Sequence, residues 1–250
     1  MAIAMTLRLH HFLPRSRANG PGVRAVTWVQ GCSLGCPGCF NPETHAPSGG
    51  DVVNLDELCQ RILALGDSIE GLTISGGEPL QQCSAVTELL RRIKAEARLS
   101  VILFTGFEWE EVMRMAKSEG RRVGGSARES IQASARLDAV RHANHITHGK
   151  RSHAPTLSGS HALSFADTPT PRHPDTPAWP EFLNYVDVLI AGRYDQGQRL
   201  ARGLRGSTNK TVHLLTDRYT AGDLESVPIA EVMVTPHGEL LLSGIEPVSW

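Results

Sequence analysis

Two spacings of apolar residues alternate along the first half of the chain. Short β-branched and aromatic runs end in glycine or run into cysteine, and between them apolar residues recur every three or four positions. Residues 24–30, Arg-Ala-Val-Thr-Trp-Val-Gln, are of the first kind and predict a strand that feeds directly into a cysteine-bearing loop. Leu55, Leu58, Cys59, Ile62 and Leu63 share one helical face, and Asn54 followed by Glu57 predicts a capping box at the start of that helix. Cys59 is therefore expected in the core. Residues 71–75 predict a strand that ends in Gly76-Gly77-Glu78-Pro79, after which residues 82–97 carry Val86, Leu89, Leu90 and Ile93 at helical spacing. Residues 101–105 then predict a strand, Gly106 a turn and residues 109–116 a helix. Strand, glycine turn and helix in repeated order predict an α/β fold with a parallel sheet.

The pattern breaks beyond residue 117. Residues 120–180 are rich in Gly, Ser, Ala, Pro, Arg and His, with prolines at 155, 169, 171, 174, 177 and 180. Such a composition offers too little apolar surface to offset the entropy of ordering. Residues 117–180 are expected to be a disordered insertion with a helix near 127–143, dividing a core made of 1–116 and 181–250. Apolar periodicity resumes with strands expected at 185–191 and 211–215, then a hairpin pairing 231–235 with 239–242 around Pro236-His237-Gly238. No internal repeat is evident.

Composition adds boundaries rather than an identity. The chain has 250 residues, 40% apolar and 20% charged, with formal net charge -1, which suits a globular core and implies no nucleic-acid partner. Arg8, His10 and His11 interrupt the apolar residues of the first 14 positions, so neither a secretory signal nor a membrane span is expected. The expected location is the cytoplasm. In a reducing compartment, five cysteines with three packed between positions 32 and 39 point to metal binding or catalysis rather than to a disulfide framework.

Those three cysteines carry the candidate chemistry. Gly31-Cys32-Ser33-Leu34-Gly35-Cys36-Pro37-Gly38-Cys39-Phe40-Asn41 has the spacing C-x-x-x-C-x-x-C and offers three thiolates from one loop. Iron–sulfur clusters usually take four cysteines, so a cubane held by three keeps one iron open to a ligand that is not protein. Gly35, Pro37 and Gly38 are small enough to let the backbone pass close to sulfides and a bound ligand. The spacing alone also admits a structural zinc site completed by His45. The Gly76–Gly77 turn falls at the carboxyl end of the neighbouring strand, on the face where open α/β sheets bind ligands.

Cys32, Cys36 and Cys39 together with Gly76-Gly77-Glu78-Pro79 resemble the radical S-adenosylmethionine (SAM) superfamily. Within it the chain is most similar to the anaerobic ribonucleotide reductase activating proteins, relatives of the pyruvate formate-lyase activating enzymes. Further segments carry the resemblance: Asn19-Gly20-Pro21-Gly22 with Arg24, Cys36-Pro37-Gly38-Cys39-Phe40-Asn41, Thr105-Gly106-Phe107, Asp187-Val188-Leu189-Ile190, and Arg205-Gly206-Ser207-Thr208-Asn209. The likeness covers about residues 15–116 and 183–216. It implies a partial (β/α) barrel, a [4Fe–4S] cluster on the three cysteines, and SAM bound at the open iron. Gly38, Cys39 and Phe40 would flank the SAM on one side and Gly76 and Gly77 on the other, with Glu78 holding the ammonium or the turn. An electron from the cluster would break a carbon–sulfur bond of SAM, and the resulting 5'-deoxyadenosyl radical would take a hydrogen atom from a glycine of a large partner enzyme. A flavodoxin-like protein would donate the electron. A peptide or small metabolite is the other substrate class this chemistry serves.

Several residues remain open at this stage. Arg24 is either an exposed strand residue or a neighbour of the active-site face, and Asp187 either a strand-end carboxylate near the ligand or a structural acceptor. Cys83, in the first turn after the glycine motif, reads as a packed thiol. His142, His145 and His148 form H-x-x-H-x-x-H inside the insertion, where chance clustering in a His-rich segment accounts for them. The chain departs from the family pattern in the length of the insertion, in the tail after Thr216, and in Ala191, where the family usually has an acidic residue.

Overall fold

The computed structural model describes residues 5–122, 180–234 and 237–245. Strands β1 (Thr6–Ser16), β2 (Arg24–Val29) and β3 (Asp51–Asn54) lead into helix α1 (Leu55–Leu63), followed by β4 (Gly71–Gly76), α2 (Cys83–Glu96), β5 (Ser100–Phe104) and α3 (Trp109–Arg122). After residue 180 come β6 (Val188–Ala191), β7 (Arg199–Arg202), β8 (Arg205–Ser207), β9 (Thr211–Leu214), α4 (Ala221–Glu225), β10 (Ala230–Val234) and β11 (Leu240–Gly244). Among the described residues one sheet has the order β3-β1-β2-β4-β5-β6-β9, and β7-β8 and β10-β11 form two small ribbons. The four central strands β2, β4, β5 and β6 run parallel. Antiparallel strands extend the sheet on both sides, β1 and β3 beyond β2 and β9 beyond β6. The fold is thus mixed α/β, with the expected parallel pairing at its centre.

Burial explains why the central strands read as continuous apolar runs. Val101 and Leu103 of β5 face the larger core with Leu89, Leu90 and Ile93 of α2, while Ile102 faces a second core with Val188, Ile190, Val212 and Leu224. Both faces of the sheet are covered, so residues of either parity are apolar. Cys59 is 4% exposed within the larger core, as its helical position predicts. The α1 cap is Asn54, but its side chain accepts from the Asp56 N–H rather than pairing with Glu57. A reciprocal capping box does form at α4, between Thr220 and Asp223.

Several elements differ from the sequence expectation, among them three whose physical reason is plain. β1 carries no expectation because its alternation is interrupted by register shifts between Leu9 and His11 and between Leu13 and Ser16. Those bulges also accommodate Pro14 within the strand. Helix α3 continues past residue 116 to Arg122. The strand expected at 185–191 begins only at Val188, because residues Glu181–Tyr185 form a 3-10 turn that buries Phe182 and Leu183. The hairpin at the end of the described chain is present as β10 paired with β11. The helix expected at 127–143, the histidines at 142, 145 and 148, and Pro236 lie outside the described residues. No helix among the described residues is long and apolar enough to cross a membrane.

Candidate iron–sulfur and ligand cleft

The loop that carries the cysteines leaves the carboxyl end of β2 and is pinned to the ends of β4 and β5. The Gly77 N–H donates to Val29 O at 2.8 Å and the Glu78 N–H to Gly31 O at 2.9 Å, which ties the glycine turn to the start of the loop. A Cβ on Gly77 would lie 2.4 Å from Gly31 O, so only glycine permits this approach. Gly106, after β5, plays the matching part, since a Cβ there would lie 2.3 Å from Leu34 Cδ1. The three strand ends thereby form one shelf beneath the loop.

Cys32, Cys36 and Cys39 all line one cleft on that shelf, together with Phe40, Gly76, Gly77, Glu78, Thr105 and Gly106. The cleft is open to solvent at its mouth, and its interior holds about 150 Å³ of water-accessible space. The three thiols are free and partly accessible. Burial raises the Cys32 and Cys39 thiols above their ordinary range, and neighbouring thiol charge adds to the effect. Among the described residues no three His, Cys, Asp or Glu side chains are gathered closely enough to hold a single metal ion.

Glu78 is fully buried and its carboxylate faces protein. It accepts from Leu80 N at 2.9 Å, Thr105 Oγ1 at 2.8 Å and Gly106 N at 2.7 Å. Burial pushes its pKa up while these bonds pull it down. Of the two roles open to Glu78, holding the turn is the one its contacts serve. The amides of Gly77 and Glu78 are likewise taken up by Val29 and Gly31, so any ligand contact of this turn must use other atoms.

The far wall comes from the second half of the chain. Phe40 packs against Tyr194 with ring centroids 4.6 Å apart, Arg199 lies over its ring at 5.2 Å, and a Cβ on Gly206 would meet Phe40 Cε2 at 2.6 Å. The Arg205-Gly206-Ser207-Thr208-Asn209 segment thus reaches the cleft through Gly206. Lys210, immediately after it, also lines the cleft and donates through Nζ to Gly192 O. Desolvation lowers its pKa, while the charges of Cys36, Glu78 and Cys39 hold it up. Sequence reading did not single out Lys210 or Tyr194. Both lie far along the chain from the cysteine motif, and only chain reversal at β6 and β8 brings them there.

Two residues left open by the sequence belong elsewhere. Arg24 is wholly buried at the amino end of β2, neither an exposed strand residue nor a neighbour of the cleft. It donates to Thr73 Oγ1, Pro21 O, Ser100 Oγ, Tyr219 OH, Leu72 O and Ser100 O. Asp187 is a structural acceptor, taking bonds from Val101 N at 2.7 Å, Lys94 Nζ at 2.7 Å and Thr216 Oγ1 at 2.8 Å. Cys83 packs at the head of α2, its Sγ 3.8 Å from Thr87 Oγ1.

Comparison with known proteins agrees with the chemistry of this cleft. Residues 18–123 match the family model described as a 4Fe-4S single cluster domain. The chain is 32% identical over 112 residues to the anaerobic ribonucleoside-triphosphate reductase-activating protein of Salmonella typhimurium, covering 42% of this chain and 73% of that protein. It is 34% identical over 113 residues to the protein of the same name from Vibrio cholerae, covering 42% and 72%. Against the pyruvate formate-lyase-activating enzyme of Clostridium pasteurianum it is 31% identical over 114 residues, covering 43% of this chain and only 48% of that enzyme. The matched family model and relatives are those of iron–sulfur activating enzymes. The chain belongs to the radical SAM activating-enzyme family.

Proposed function

We propose that this protein holds a [4Fe–4S] cluster through Cys32, Cys36 and Cys39 and cleaves SAM reductively to install a glycyl radical on a partner resembling anaerobic ribonucleotide reductase. The observation that carries this reading is the meeting of all three cysteines with the Gly76–Gly77 turn in one cleft at the carboxyl ends of parallel strands. In this reading the four parallel strands form a partial (β/α) barrel, and 1–116 with 181–250 make one catalytic core around an insertion at 117–180.

When bound, the cluster supplies the electron that breaks a carbon–sulfur bond of SAM. The chain's own residues have three tasks. Cys32, Cys36 and Cys39 would lose their protons on binding iron, so loading releases protons at neutral pH. Cys39 and Phe40, which line the cleft, form one wall for SAM, with Phe40 fixed by Tyr194 and Gly206, and Gly76 and Gly77 form the other, while Gly38 does not line the cleft and packs towards Gln196, so its place beside SAM follows the resemblance. Glu78 acts indirectly, by locking the glycine turn to Thr105 and Gly106. Lys210 places a positive charge beside the thiols, opposing the negative charge they acquire. The names of the relatives support an anaerobic ribonucleotide reductase as the substrate class, and a flavodoxin-like protein as reductant follows the same resemblance.

Anaerobic reconstitution with iron and sulfide, followed by reduction in the presence of SAM, is expected to yield 5'-deoxyadenosine. A loaded cluster that yields none would overturn the reading, as would zinc without iron or sulfide in protein purified without oxygen. A glycyl-radical EPR signal on a co-expressed anaerobic reductase tests the partner. Its absence alongside SAM cleavage would redirect the activity to a peptide or small metabolite.

A further inference from the structure

His45 sits beside the cysteines for a reason the cleft's other walls do not explain. It caps the 3-10 turn Pro42–Thr44, which folds back onto the start of the cysteine loop. The Gly31 N–H donates to Thr44 O at 2.8 Å and the Cys32 N–H to His45 O at 3.1 Å. Gln30 Nε2 adds bonds to Glu43 O at 3.0 Å and Ala46 O at 2.7 Å. These bonds fix the His45 backbone against Cys32. The side chain lines the cleft, yet its Nε2 is buried and has no hydrogen-bond partner. The other two buried orphan atoms among the described residues, Thr27 Oγ1 and Arg205 Nε, belong to residues that do not line this cleft.

A buried polar atom without a partner is costly, and orphans in native proteins mark a missing partner or a functional site. The cleft that His45 lines also holds three sulfur ligands, and hydrogen bonds to sulfur are among the determinants of a cluster's reduction potential. We propose that His45, with its proton on Nε2, donates a hydrogen bond to a sulfur of the cluster held by Cys32, Cys36 and Cys39, and so raises the potential of that cluster. An N–H aimed at sulfur favours the reduced state, which carries one more negative charge. The role is to tune the cofactor rather than to bind iron. This inference rests on the cluster reading proposed above.

The full-length wild-type protein, His45→Phe and His45→Gln are each reconstituted anaerobically and titrated redox-metrically without SAM, with the reduced cluster followed by EPR. All three are expected to hold equal iron and sulfide. The midpoint of His45→Phe should shift to more negative potential, and His45→Gln, which keeps an N–H donor, should fall between it and wild type. An unchanged midpoint in His45→Phe at equal cluster content would overturn the inference. So would strong directly bound nitrogen coupling in the wild-type spectrum together with cluster loss in both variants, because His45 would then be a ligand. A wild-type chain that takes up no cluster at all would instead defeat the underlying reading.

Discussion

The two ends of the parallel strands both bury polar side chains, and they do so in opposite ways. At the amino ends, the Arg24 guanidinium meets six oxygen contacts from the loop before it, from β4, from β5 and from Tyr219. Asp187 nearby accepts from Lys94, Val101 and Thr216. At the carboxyl ends, three free thiols and the partnerless Nε2 of His45 line an open cleft. A satisfied polar cluster holds strands together, whereas a buried polar atom left without a partner beside a cavity, as His45 Nε2 is, marks a place where a partner is missing.

That contrast can be broken from either end. The largest effect is expected from Cys36→Ala, which should abolish cluster absorbance and 5'-deoxyadenosine formation while changing the urea stability of the cluster-free protein by less than about 1 kcal/mol. Arg24→Met should do the reverse. Removing the guanidinium leaves several buried oxygens without donors and should lower stability by about 3–5 kcal/mol in denaturant titrations, a loss of the size seen when one side of a buried polar network is deleted. Were Cys36→Ala as destabilising as Arg24→Met, the division between clamp and site would fail.

A third effect concerns β9 at the sheet margin. His213 is 1% exposed, stacks on Trp109 at 4.1 Å and shares a bond with Thr211 Oγ1 at 2.8 Å. Burial lowers its pKa to about 4 from the ordinary 6.5. The unfolded chain binds the proton more readily, so stability rises with pH across this window. It is full above about 6.5 and falls as pH drops towards 4, by up to about 3 kcal/mol at one pKa unit per 1.4 kcal/mol. Denaturation of wild type and His213→Phe between pH 4 and 7 checks this, with the variant expected to lose most of the slope. The smallest effect is expected from Cys59→Ala, at about 1 kcal/mol of lost packing with full cluster content. Cluster loss in that variant would overturn the assignment of ligands.

Much of the core architecture was legible in the chain itself. Parallel strands β2, β4 and β5 declared themselves because strands covered on both faces are apolar at successive positions and run into a glycine turn or the cysteine loop. The edge elements were harder. β1 hides behind two bulges, and the short β3 leaves Val52 58% exposed, so neither shows a clean period. In the candidate site, the cysteines and glycines were readable because their spacing is local. Lys210, Tyr194 and the turn-locking contacts of Glu78 were not, since each depends on elements that meet only in space.

By itself, then, the order of residues determined which thiols share one loop: Cys32, Cys36 and Cys39, a sequence separation that no fold can lengthen. Tertiary structure alone decided what surrounds them. It sent Arg24 and Asp187 to the closed end of the sheet and brought Lys210 and Gly206 to the open one. The physical reason is that hydrogen-bond satisfaction of a buried group depends on partners supplied by distant strands, and strand order, not sequence spacing, sets which partners arrive.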